Sequence, residues 1–135
     1  GTLLGAYRDK QFLDGDKDID VGTFGEQNKE RIWNELEHEG FVKREGQKDL
    51  KGQTDFISLH VNRNVPFDIF LFKDCGENYK AFTTREACCA ELPKKFKPKN
   101  IIRFCGKEFL VPSPPEEFLN HCYGDYKSKI KKSAR

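Results

Sequence analysis

The sequence lacks any apolar run near the roughly 18 residues a membrane-crossing helix needs, so no such segment is expected. It shows no signal-peptide pattern at its start. Because it opens at Gly1 and not at Met, that absence carries little weight, and the sequence reads as an excised domain. Net charge is small, +2, which by itself does not argue for a nucleic-acid partner. The five cysteines, Cys75, Cys88, Cys89, Cys105 and Cys122, include no CxxC pair, which excludes a zinc ribbon on spacing. Convergence of Cys88-Cys89 with His121-Cys122 on a metal stays a minor option. Buried thiols are the default, with one or two disulfides if the protein is secretory, and the odd count leaves at least one thiol free in a monomer. No internal repeat and no low-complexity linker is visible.

What is present fits one globular domain. At 135 residues the chain is long enough for one core and too short for two, and twelve Phe supply apolar bulk. The expected division is a domain over 1–126 and a basic tail over 127–135. Basic residues also cluster at Lys94, Lys95, Lys97, Lys99 and Arg103. Such clusters are either solvated surface or an attraction for a phosphorylated ligand or an anionic surface.

The pattern predicts a short helix over 2–8, a polar loop over 9–17 and a strand over 18–23. A helix follows over roughly 25–39, with Ile32, Trp33 and Leu36 as its apolar face and Gly40 as its stop. Phe41-Val42 starts another strand, and 48–53 is a loop. Residues 54–61 and 65–72 read as two strands joined at Asn62-Arg63-Asn64 into a hairpin. In the second strand Phe67, Ile69 and Leu71 share one face, and Asp68, Phe70 and Phe72 share the other. Apolar residues on both faces mark a central strand, so Asp68 is an acid inside a hydrophobic strand. A hairpin over 101–111 turns at Cys105-Gly106, and a helix runs from Pro115 to a stop at Gly124. The fold class expected is α+β, with helices packed on a mixed sheet.

Asp18-Ile19-Asp20 is the most informative triplet. Residues two apart on a strand share a face, about 6–7 Å apart at the backbone. Two ionised carboxylates so placed repel unless a cation lies between them. Mg²⁺ or Mn²⁺ suits such oxygen ligands, and Asp68 can add a third carboxylate from a nearby strand. An EF-hand reading of Asp14, Asp16, Asp18 and Asp20 fails, because its sixth position is Ile19 and its twelfth is Gly25. Gly1-Thr2 opens a helix upstream of the pair, either as an ordinary cap or as a turn presenting N–H groups to an anion.

Four segments in order carry a family resemblance. GTLLGAYR at 1–8, FLDGDKDIDV at 12–21, FDIF at 67–70 and FCGKEFLVPSPPEEFLNHCYGDYK at 104–127 resemble the LicD/fukutin family of phospho-alcohol transferases. Gly15 stands where the family often has Trp, and Lys17 where it often has Asp. The resemblance implies a nucleotidyltransferase fold and transfer of a phospho-alcohol, such as phosphocholine or ribitol phosphate, from a CDP-linked donor to a glycan hydroxyl. It implies that Asp18, Asp20 and Asp68 are catalytic and bind Mg²⁺ or Mn²⁺. Gly1, Thr2, Arg8, Tyr123, Gly124 and Asp125 would contact the donor. Two other readings stand beside it: a nucleotidyltransferase moving an NMP group, and a catalytically silent binding domain. Bacterial members work at the cytoplasmic side and animal members in the Golgi lumen; five cysteines lean toward the latter.

Overall fold

The computed structural model describes residues 1–24, 28–43, 55–61, 65–83 and 89–128. The turn expected at 62–64, the loop at 48–53, the first residues of the helix expected from 25, the first residue of the strand expected over 54–61 and most of the 127–135 tail lie outside the described residues. The chain forms two compact units: residues 17–93, and residues 1–16 together with 94–135.

The 17–93 unit is a mixed sheet carrying a helix. Its strands are β1 (Ile19–Phe24), β2 (Val42–Lys43), β3 (Phe56–Val61), β4 (Val65–Cys75), β5 (Asn78–Phe82) and β6 (Cys89–Pro93). They run in the order β2-β3-β4-β5-β6, and β1 pairs with β4 in parallel. The other pairings are antiparallel. Strand β4 is central, as its two-sided hydrophobicity requires. Its Phe67–Phe72 stretch pairs with β1 and, over Val65–Phe70, with β3, while Lys73–Cys75 pairs with β5. Where β3 gives way to β5, buried Asp55 bridges the gap. Its carbonyl accepts from Leu71 N–H, its N–H reaches Phe82 O, its Oδ2 accepts from Phe82 N–H, and Lys73 Nζ lies 2.7 Å from its Oδ1.

One face of this sheet holds the core of the unit: Ile57, Leu59, Ile69 and Leu71, with Leu59 fully buried. The helix (Lys29–His38), α2 in chain order, lays Ile32, Trp33 and Leu36 on it. Asn28 begins that helix by accepting Arg31 N–H on its side chain at 3.0 Å, which satisfies an otherwise orphaned donor.

The second unit starts with α1 (Thr2–Leu4), which continues as a π-helical stretch over Gly5–Asp9. Gly5 cannot carry a side chain: a Cβ there would lie 2.6 Å from Gln11 O and 2.9 Å from Leu13 N. The chain doubles back over that glycine. From residue 94 onward the elements are a 3₁₀ turn (Lys94–Phe96), β7 (Asn100–Phe104), β8 (Lys107–Val111) and α3 (Pro115–Tyr123). Strands β7 and β8 form a separate two-stranded sheet turning at Cys105-Gly106. Buried Ser113 ties its open end, accepting Lys99 and Asn100 N–H at 2.8 and 2.7 Å and donating to Val111 O. Leu4, Leu119 and Tyr126 form this unit's core.

Candidate metal centre and donor-contact residues

The parallel register sets Asp20 of β1 directly beside Asp68 of β4, and the antiparallel register sets Ser58 of β3 beside Asp68 on its other side. Neighbours across a sheet point the same way. Asp20, Asp68 and Ser58 therefore form one row across three strands, on the face opposite the hydrophobic core. Asp18, just ahead of β1, adds to that row. One carboxylate oxygen from each of Asp18, Asp20 and Asp68 lies within 4.8 Å of the others. Among the described residues this is the one His, Cys, Asp or Glu group that could hold a metal ion.

The sequence reading overlooked Ser58. Its Oγ donates to Asp68 Oδ1 at 2.5 Å, and both side chains are buried, at 2% and 8% exposure. The hydroxyl orients the carboxylate and offsets part of the cost of burying its charge. A signal for it was present: once the hairpin closes with Val61 opposite Val65, residue 58 faces residue 68.

Three carboxylates this close repel. Two unit charges 4.8 Å apart cost about 1 kcal/mol in water-like surroundings and about 3.5 kcal/mol at an effective dielectric near 20. A divalent cation reverses the sign. Two oxygens on one ion are at most twice the metal–oxygen distance apart, about 4.2 Å for Mg²⁺ and about 5 Å for a larger ion. The observed spacing fits after small side-chain adjustment, and the all-oxygen donor set suits Mg²⁺ or Mn²⁺.

The row beyond the acids is aromatic. Gly22, Phe70 and Phe56 are in register, followed by Phe24 beside Phe72. Phe24 and Phe72 stack at 5.3 Å, and a Cβ on Gly22 would come within 2.8 Å of the Phe72 ring. A groove of about 1030 Å³ lies elsewhere, lined by α2 and by Val21, Thr23, Phe67 and Ile69. Those strand positions alternate with the acids, so the groove opens on the opposite face and is distinct from the carboxylate site.

The proposed donor contacts all belong to the other unit, where residues 1–9 meet residues 116–128. The main-chain nitrogen of Gly1 donates to Tyr123 Oη at 3.1 Å, and Thr2 begins α1. Gly124 closes α3 through its N–H to Asn120 O at 2.8 Å. Asp125 Oδ2 accepts from Ser128 Oγ at 2.7 Å. Arg8 is committed to its own chain. Its guanidinium forks onto Asp9 at 2.7 and 2.9 Å and donates to the carbonyls of Tyr126 and Ser128. The Asp9 bonds hold the Arg8 proton more tightly than usual. Tyr7 donates to Glu116; this bond, with burial adding to it, pushes the Tyr7 hydroxyl up to about 12 and pulls Glu116 down. Cys75, Cys105 and Cys122 are exposed free thiols, against the expectation of buried ones; Cys89 Sγ donates to Glu91 Oε1 at 3.6 Å, and Cys88 lies outside the described residues.

The family described as "LicD/FKTN/FKRP, nucleotidyltransferase domain" matches residues 1–114, most of the chain. The chain belongs to the LicD/FKTN/FKRP family. The resemblance carried by the GTLLGAYR, DID and FDIF segments is thus borne out. Among solved structures, a lincomycin-bound crystal structure of the lincosamide antibiotic adenylyltransferase LnuA is similar. It shares 12% identity with a TM-score of 0.54, over 98% of this chain and 73% of that one. At that identity the likeness concerns fold alone, and it bears out the nucleotidyltransferase-like α+β architecture. No curated protein matches the chain significantly. Family and fold place this LicD-family chain among transferases that move a phospho-alcohol or nucleotidyl group. Among the described residues, no helix is long and apolar enough to cross a membrane.

Proposed function

We propose that the chain transfers a phospho-alcohol, of the phosphocholine or ribitol phosphate type, from a CDP-linked donor to a glycan hydroxyl. The observation that carries this reading is the convergence of Asp18, Asp20 and Asp68 within a LicD-family chain.

In this scheme Asp18, Asp20 and Asp68 hold Mg²⁺ or Mn²⁺, which would neutralise charge on the diphosphate when bound. Asp68, set by Ser58, takes the proton of the acceptor hydroxyl. The hydroxyl oxygen forms a bond to the phosphorus bearing the alcohol. The bond from that phosphorus to the bridging oxygen breaks, and CMP leaves. Gly1, Thr2, Tyr123, Gly124 and Asp125 are assigned to the donor. The bonds of Arg8 to Asp9 and to the carbonyls of Tyr126 and Ser128 favour a bracing role for it, ahead of direct contact with CMP.

The test is CMP release from CDP-choline, CDP-ribitol and CDP-glycerol, with and without Mn²⁺, for the wild type and Asp20→Ala. Asp20 is solvent-exposed, so this variant keeps the fold. Release is expected to need metal and to fall by at least about a hundredfold in the variant; equal turnover in both would refute the assignment. Product mass separates the second reading, because nucleotidyl transfer adds an NMP group to the acceptor. A wild type that binds neither Mn²⁺ nor CDP in calorimetry would support a silent domain.

A further inference from the structure

The β7–β8 hairpin carries a feature that the proposed reaction does not use. Residues 94–107 hold six basic residues and no acidic one. The hairpin register places Ile101 opposite Leu110 and Arg103 opposite Glu108 on one face, with Phe104 and Val111 on the other. Phe104 and Val111 are buried, at 9% and 5% exposure. The outer face should then be polar, as on a half-buried antiparallel ribbon. Instead Ile101 and Leu110, paired on that outer face, are each 62% exposed.

The surroundings of this apolar pair indicate what covers it. Arg103 shares that face, and Lys97 and Lys99 just ahead of β7 are exposed as well. Glu108, the one acid on the hairpin, lies 3.9 Å from Arg103 with both side chains largely in solvent; it cancels one of the six positive charges of residues 94–107 and leaves the segment basic. A second copy of the chain would bring like charges together. A protein partner is also disfavoured, because lysine is depleted at the centres of protein interfaces. Exposed aliphatic side chains on a segment rich in lysine and arginine suit the boundary of a lipid bilayer with negative headgroups.

We propose that the outer face of the β7–β8 hairpin docks on an anionic membrane surface. Ile101 and Leu110 enter the headgroup region, and Lys97, Lys99 and Arg103 meet the lipid phosphates. This inference is independent of the transfer reaction and would hold for a silent domain.

The experiment is co-sedimentation of the chain with vesicles of phosphatidylcholine alone and of phosphatidylcholine mixed with phosphatidylglycerol. The variants are Ile101→Ser/Leu110→Ser and Lys97→Ser/Lys99→Ser/Arg103→Ser, each checked by circular dichroism. All five side chains are exposed, so both variants should fold. The wild type is expected to pellet with the anionic vesicles only, and less so at high salt. The partition coefficient should fall about fivefold for each basic residue removed, and about tenfold or more in the apolar variant. Absence of pelleting with anionic vesicles would overturn the proposal. So would undiminished pelleting of the Ile101/Leu110 variant, or a concentration-dependent dimer that this variant abolishes, since that would assign the face to protein contact.

Discussion

Substituting Ser58 by Ala tests the carboxylate site at its most buried point. The change removes one hydroxyl, whose 2.5 Å bond holds Asp68 Oδ1. Hydrogen bonds to charged groups contribute about 1.5–3 kcal/mol. Ser58 and Asp68 are 2% and 8% exposed, so solvent replaces little of that. For a domain of this size the loss corresponds to a melting temperature roughly 5–15 °C lower. The single Trp, Trp33, packs on the core of the 17–93 unit, so its fluorescence follows the relevant transition directly. Melting in EDTA isolates the hydrogen bond from metal binding. The charge can be isolated too: in an Asp68→Asn background the same substitution should cost only about 1 kcal/mol, the value of a neutral bond. Mn²⁺ affinity should fall about 10–100-fold in Ser58→Ala, as when the partner that orients a ligating carboxylate is lost. A melting temperature within about 2 °C of the wild type, or equal costs in the wild-type and Asp68→Asn backgrounds, would refute the reasoning. If the wild type itself takes no Mn²⁺, the metal assignment fails and the stability argument still stands.

Gly5→Ala should destabilise the 1–16/94–135 unit by about 1–3 kcal/mol or more, since the new Cβ would meet backbone atoms of Gln11 and Leu13 at 2.6 and 2.9 Å; a chemical denaturation curve matching the wild type would contradict this. The Tyr7 hydroxyl, raised from 10.0 to about 12, binds its proton more tightly in the folded chain. Its contribution is therefore full below pH 10 and lost as pH rises from there through 12. Tyr7→Phe should flatten that part of the stability–pH curve, and ultraviolet titration should lose a tyrosine step at about 12.

Local pattern was legible wherever burial imposed a period. The apolar face of α2, the β3–β4 hairpin, the β7–β8 hairpin turning at Cys105-Gly106 and the Pro115 helix all follow from spacing and turn chemistry. Strand β1 runs Ile19–Phe24, one residue later than expected at each end. Strands β5 and β6 were not read, because NYKAF and CAELP are short and weakly patterned, and only Ala81 and Leu92 of them are buried. For the same reason β4 outran its prediction, continuing through polar Lys73, Asp74 and Cys75. The parallel β1–β4 pairing joins segments far apart in the chain, and no local period encodes it. Asp18 and Asp20 were visible as a pair from their spacing; their approach to Asp68 needed that pairing. Arg8 shows a different limit: a guanidinium's capacity for a forked bond is evident from its type, but its partners, Asp9 and two late carbonyls, are set by the fold.

The second unit is assembled from both ends of the described chain, which has a consequence for synthesis. Residues 17–93 emerge as one continuous stretch and can collapse as soon as they clear the ribosome. Leu4 and Tyr7, made first, must wait for Leu119 and Tyr126 before they are covered. Until Arg8 can clasp the carbonyls of Tyr126 and Ser128, the Thr2–Asp9 turn is an open apolar surface. A chain ended before residue 119 would leave that surface exposed to chaperones and proteases.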